Sequence, residues 1–123
     1  MALILIVEDE PDLVALLERW LEKDGHRVEH VADGAAALEA LKRTPLPQLV
    51  LLDVMLPKLD GFEVLRQLRA APLTKALPVV MVSSFSRDRD AARGRELGAN
   101  DYIVKPLMEL DFKKRIEHLI KNQ

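Results

Sequence analysis

The chain has 123 residues, 49% apolar and 31% charged, and its 18 Lys+Arg against 20 Asp+Glu give a formal net charge of −2. That is the length and composition of one globular domain, expected to run over 1–123, and its near-neutral charge excludes both a chain-wide basic footprint for nucleic acid and a general attraction to anionic membrane. The longest apolar run, Ala2–Val7, is far short of the ~18 residues that span a bilayer, no charged-then-apolar leader opens the chain, and the absence of cysteine excludes thiol chemistry and is compatible with the cytoplasm.

Leu3-Ile4-Leu5-Ile6-Val7 opens the pattern as a strand buried on both faces. Pro11 suits the first turn of the helix that follows. Leu13, Leu16, Leu17, Trp20 and Leu21 form one apolar stripe on it, placing Trp20 in the core, and Gly25 marks its end. Val28 and Val31 belong to a second, shorter strand. Asp33-Gly34 opens an Ala-rich helix to about Lys42, closed by Pro45 and Pro47.

Leu49-Val50-Leu51-Leu52 is the third strand, and Asp60-Gly61 precedes a helix with Phe62, Leu65 and Leu68 inward. Pro78 introduces the fourth, Val79-Val80-Met81-Val82. A charge-mixed helix then runs from about Asp88 to Leu97, with Ala91, Ala92 and Leu97 as a thin apolar stripe. Gly94 weakens it by about 0.8–1 kcal/mol relative to Ala, which suits either a moving part or a poorly optimised surface helix. Gly98 ends it. Tyr102-Ile103-Val104 is the fifth strand, and Phe112, Ile116, Leu119 and Ile120 line the last helix.

Five strand–helix units in strict alternation require a parallel sheet with right-handed crossovers and helices on both faces. Ligands in such sheets bind beyond the carboxyl ends of the strands. Those ends carry Glu8-Asp9, Asp53, Ser83-Ser84 and Lys105-Pro106. Three carboxylates, a hydroxyl and an ammonium therefore gather at one edge. Crowded carboxylates repel one another, and a hard dication such as Mg²⁺ relieves this with oxygen ligands. A carboxylate is also a nucleophile toward phosphorus. Asp53, alone at the central strand's tip, is the best candidate for that role, and Glu8 with Asp9 suits the metal.

At these residues the chain resembles the receiver domain of two-component response regulators. The matching marks are Glu8-Asp9, Asp53 within Leu51-Leu52-Asp53-Val54-Met55-Leu56-Pro57, Asp60-Gly61, Ser83, and the segment Gly98-Ala99-Asn100-Asp101-Tyr102-Ile103-Val104-Lys105-Pro106. The resemblance implies an α/β flavodoxin-like (βα)₅ fold, a doubly wound sheet of five parallel strands in the order 2-1-3-4-5. It further implies that Asp53 accepts a phosphoryl group from a sensor histidine kinase or phosphotransfer protein. Mg²⁺ would be held by Glu8, Asp9, the Asp53 carboxylate and the backbone carbonyl of Met55. Ser83 would bond a phosphoryl oxygen, Lys105 would pair with the phosphoryl group, and the bond to Pro106 is often cis. Tyr102 matches the aromatic switch position, and phosphorylation would bias the fourth helix, fifth strand and fifth helix toward a downstream effector protein or domain. The domain is then a switch, not an enzyme acting on a separate substrate. The last helix ends almost at Gln123, so the output is expected to lie elsewhere, whether the chain stands alone or begins a longer regulator.

Ser83 replaces the commoner threonine and is freer about χ1, Ser84 stands where Ala or Gly is usual, and Leu107 where Phe is frequent. Met55 and Phe85, two residues after Asp53 and Ser83, cannot orient an attacking water, so slow self-hydrolysis is expected. His26, His30 and His118 share no ligand spacing and are expected at the surface or partly packed. Arg87, Arg89, Arg93 and Arg95 interleave with Asp88, Asp90 and Glu96, a solvated charged face rather than a nucleic-acid surface; a partner-binding role for it stays open. Two rival chemistries fit less well. A haloacid-dehalogenase-type phosphatase needs an Asp at the position of Met55 and a cap domain. A nucleotide or flavin site needs a glycine- or hydroxyl-rich loop where Glu8-Asp9-Glu10-Pro11-Asp12 stands. A third alternative is a receiver-like interaction module that no longer uses phosphate.

Overall fold

In the computed structural model, which describes residues 1–85 and 87–122, each aliphatic run becomes a strand. The elements are β1 (Leu3–Val7), α1 (Pro11–Lys23), β2 (Arg27–Val31), α2 (Gly34–Ala40), β3 (Leu49–Asp53), α3 (Gly61–Ala70), β4 (Val79–Ser83), α4 (Asp88–Glu96), β5 (Asp101–Val104) and α5 (Glu109–Lys121). All strand pairs are parallel and the order is β2-β1-β3-β4-β5, the doubly wound α/β arrangement that the alternation and the resemblance led us to expect. β3 and β4 are buried along their whole lengths, as central strands covered on both faces must be. β2 has the same length as β1 and is not the shorter strand expected. It is an edge strand, so Arg27, Glu29 and His30 are exposed and only Val28 and Val31 face partly inward.

The sheet divides two apolar layers. One side packs Ala37 of α2, Leu41 just past its end, and Phe62, Leu65 and Leu68 of α3 against alternate strand residues. The other packs Leu17, Trp20 and Leu21 of α1 with Phe112 and Ile116 of α5. The rings of Trp20 and Phe112 meet at 5.7 Å, so Trp20 is core, as its place on the stripe predicted. Asp33 and Asp60 cap α2 and α3 by accepting from the backbone N–H of Ala36 and Glu63 at 2.7 and 3.0 Å. Gly25 and Gly98 leave α1 and α4 at φ +85° and +104°, conformations that L side chains resist.

Two expectations about side chains are corrected. His26 is not at the surface: it is 8% exposed, with Nδ1 accepting the Ala2 N–H at 3.1 Å and Nε2 at 2.7 Å from Glu117 of α5. The stripe of α4 is also different. Ala92 is exposed, Ala91 and Leu97 are half-buried, and the buried residues are Asp90 and Gly94. No helix among the described residues is long and apolar enough to cross a membrane.

Candidate functional site

Parallel in-register pairing ends adjacent strands at one edge, and this is what assembles the site. Asp53 closes β3, Ser83 closes β4, Glu8 follows β1, and Lys105 follows β5. Strand polarity makes Glu8, Asp53 and Ser83 nearly inaccessible, at 2%, 5% and 0% exposure. Ionisable side chains are almost never buried this far without partners.

Lys105 is that partner. Its Nζ donates to Asp53 Oδ2 at 3.1 Å, Glu8 Oε1 at 3.1 Å and Glu10 Oε1 at 3.2 Å. The other Asp53 oxygen, Oδ1, accepts the Met55 backbone N–H at 3.2 Å. Glu8 turns its Oε2 back onto the backbone N–H groups of Asp9 and Glu10, at 3.1 and 3.2 Å. His30 supports the same loop. Its Nε2 lies 2.8 Å from the Glu8 carbonyl, which can only accept, so that nitrogen carries the proton.

The cluster has more negative than positive charge. Burial, then the hydrogen bond and charge of Asp53, push Glu8 up to about 7 against the pull of Lys105. For Lys105, burial works downward, but the charges of Asp53 and Glu8 prevail and hold the ammonium above the ordinary lysine range. One oxygen from each of Glu8, Glu10 and Asp53 lies within 4.8 Å of the others. Converging hard oxygen donors short of positive charge fit a small dication.

Glu10 was not singled out in the sequence. Three consecutive acids follow β1, and the turn into α1 decides which of them faces inward. Glu10 is the N-cap of α1 without a side-chain capping bond, which leaves its carboxylate on Lys105. Asp9 is exposed and lines an adjoining cleft together with Met55 and Asp60.

The β3–α3 loop is held close to the Asp53 backbone. Gly61 N–H donates to the Val54 carbonyl at 2.8 Å, and a Cβ on Gly61 would lie 2.2 Å from the Asp53 carbonyl oxygen. Only glycine permits that approach. Within the loop, Leu59 N–H reaches the Pro57 carbonyl at 2.8 Å around Lys58, whose φ is 70°.

On the β4 side, Ser83 Oγ accepts the Phe85 N–H at 3.0 Å, and the Tyr102 hydroxyl donates to the Phe85 carbonyl at 2.8 Å. One peptide segment is thus gripped from both sides by Ser83 and Tyr102. The Tyr102 ring is buried, and burial is the main cause that raises its phenol above the ordinary value. The Lys105–Pro106 bond is cis, as is Thr44–Pro45.

Residues 4–117 match the family model of the response regulator receiver domain. The alkaline phosphatase synthesis transcriptional regulatory protein PhoP of Bacillus subtilis is 41% identical over 96% of this chain and 48% of its own length. The chain thus spans about half the length of that regulator. Protein PilH of Pseudomonas aeruginosa is 38% identical, with 98% of both chains covered. Among solved structures, the receiver domain of sensor histidine kinase PA1611 from Pseudomonas aeruginosa has a TM-score of 0.88 and 30% identity, covering 98% of each chain. It carries a magnesium ion in its active site cleft.

Proposed function

Because the chain belongs to the response regulator receiver family, we propose that Asp53 is its phosphoacceptor, taking the phosphoryl group of a histidine kinase or phosphotransfer protein. The observation that carries this reading is the buried Asp53 carboxylate held 3.1 Å from the Lys105 ammonium at the strand edge. A carboxylate oxygen of Asp53 attacks phosphorus. The P–O bond forms as the P–N bond of a phosphohistidine breaks, and the leaving imidazole nitrogen keeps the electron pair. Glu8 and Asp53, with Asp9 and the Met55 carbonyl carried over from the family and Glu10 at hand, would hold Mg²⁺. Bound there, that ion neutralises charge on the phosphoryl oxygens.

Lys105 has three donors committed to three carboxylates, and redirecting one to a phosphoryl oxygen supplies charge without moving the backbone. Ser83, whose Oγ accepts the Phe85 N–H, turns away from it to donate its hydroxyl proton to a phosphoryl oxygen. That releases one side of the grip on Phe85 and biases the surface of α4, β5 and α5 toward a partner. Met55 and Phe85 offer no hydrogen bond to water, which supports slow self-hydrolysis. The domain acts on itself and hands its state to an effector, in the cytoplasm.

The test is phosphorylation by acetyl phosphate with Mg²⁺, read as a shift on a phosphate-affinity gel. Trp20 is a poor reporter, because it lies in the α1–α5 layer against Phe112. Native protein should shift, and Asp53→Asn should not. A shift that persists in the variant would refute the assignment.

A further inference from the structure

The acidic turn after β1 is held from the edge strand. Glu8 N–H donates to the Val31 carbonyl at 3.1 Å, one step beyond the last paired residues, Val7 and Val31. β2 ends at Val31, and the backbone ladder ends with it. The Glu8 carbonyl takes its donor from a side chain instead, His30 Nε2 at 2.8 Å. His30 stands opposite Ile6 in the register, and from there its imidazole reaches along the sheet edge to the turn.

That carbonyl belongs to the same peptide group as the Asp9 N–H. The peptide is trans, and a trans peptide is planar with its C=O and N–H pointing in opposite directions. Holding the carbonyl toward β2 therefore turns the Asp9 N–H toward the site, where it donates to Glu8 Oε2 at 3.1 Å. The Glu10 N–H joins it on the same oxygen at 3.2 Å. With Oε2 committed to the turn, Oε1 is the oxygen that faces Lys105, at 3.1 Å. The orientation of one peptide plane thus decides how the buried Glu8 carboxylate is presented, and where Asp9 leaves the chain.

We propose that His30 is a positioning residue of this site: by fixing the Glu8–Asp9 peptide from the edge strand, it presets the carboxylates that would hold Mg²⁺. The role rests on the phosphoacceptor reading and deepens it. His30 is not among the residues that carry the receiver resemblance, and it acts only through Glu8. Donors that orient the groups around a metal typically carry 10–100-fold in affinity.

The test compares the full chain with two variants. His30→Phe keeps a planar ring and removes the donor, and His30→Gln restores an N–H donor at the reach of Nε2. The first readout needs no ion. In His30→Phe the Asp9 and Glu10 amide resonances should shift, and exchange of the Asp9 amide with water should quicken about fivefold; His30→Gln should stay close to native. The second is a titration with Mg²⁺ alone, followed by the same amide shifts. His30→Phe should bind about tenfold more weakly, and His30→Gln within about twofold of native. His30 is exposed, so unchanged amide dispersion elsewhere should show that both variants fold. An Asp9 amide unmoved in His30→Phe would overturn the proposal, as would equal Mg²⁺ affinity in that variant and the native chain. So would His30→Gln being as impaired as His30→Phe, which would make His30 merely part of the strand edge. Each of these, with a native chain that binds Mg²⁺ and is phosphorylated on Asp53, leaves the phosphoacceptor reading standing. A native chain that takes up neither Mg²⁺ nor a phosphoryl group would overturn that reading and the role of His30 with it.

Discussion

Helices α3 and α4 lie on the same face of the sheet and differ by one residue in length, ten against nine, yet they are held by different physics. α3 buries Phe62, Val64, Leu65 and Leu68, while α4 buries only Asp90 and Gly94. Apolar burial is distributed over many small contacts and fixes one arrangement. The contacts of α4 are few and directional. Arg69 of α3 donates to the Gly98 carbonyl at 3.0 Å just beyond its C-terminal end, Arg87 pairs with Asp90 at its start, and the Tyr102 ring lies beneath Gly94. The two helices flank the candidate site, one held by apolar burial and the other by a few hydrogen bonds and a ring contact.

The largest test of this contrast is a cavity. Leu65 is fully buried, and Leu65→Ala should cost about 2–5 kcal/mol, read as a lower urea midpoint. Leu97, the half-buried leucine just past α4, should cost less than half as much when cut to alanine. Equal losses would mean that α4 is packed as firmly as α3.

Tyr102→Phe is next in size. It keeps the ring and removes the donor to the Phe85 carbonyl, so about 1 kcal/mol should be lost. Hydrogen exchange in α4 should quicken while exchange in α3 is unchanged. Equal acceleration in both would place Tyr102 in the general core instead of among the few contacts that hold α4.

Gly94→Ala should have a smaller net effect. Helix propensity favours alanine by about 0.8–1 kcal/mol, but its Cβ would lie 3.2 Å from Tyr102 Cδ2 and 3.3 Å from Met81 Sδ. The two effects oppose, and the net change should stay within about 0.5 kcal/mol while the Tyr102 ring resonances shift. A gain of the full propensity value, with the ring unmoved, would show the space under α4 to be loose.

The same contrast explains what could be read in advance. Buried parallel strands are continuous aliphatic runs, so β1, β3, β4 and β5, their alternation with helices, and the chemistry-bearing residues at their ends are plain in the sequence, whereas the edge strand β2 is marked only by Val28 and Val31. α3 was equally plain, because Phe62, Leu65 and Leu68 recur at helical spacing. α4 was misjudged because periodicity counts apolar side chains. At Gly94 the backbone itself packs against Tyr102 and Met81, which leaves no side chain in the pattern. Residues 29 to 95 positions apart are invisible for another reason. Arg69 with Gly98, His26 with Glu117 and Glu10 with Lys105 meet only after the sheet forms. In Glu8-Asp9-Glu10 the composition showed an acidic site, but a single turn decided that Glu10 joins the Lys105 cluster.

The smallest expected effect lies on the fixed helix and depends on pH. Glu63 sits in the first turn of α3, where Arg66 foremost and then Gln67 hold its carboxyl down to about 2 from 4.5. A carboxyl whose pKa is depressed by folding stabilises the native state while it is ionised. That contribution is complete above 4.5 and is lost as pH falls through about 2. Glu63→Gln should therefore be slightly less stable than the native chain at neutral pH, and the difference should close between 4.5 and about 2. Because the ion pair is exposed and screened by salt, the gap should also narrow in high salt. Urea melts across that pH range measure it. A gap that stays constant to the lowest pH would mean that the glutamine weakens α3 by some route other than charge, and the packing of α3 would then have to explain the whole difference from α4.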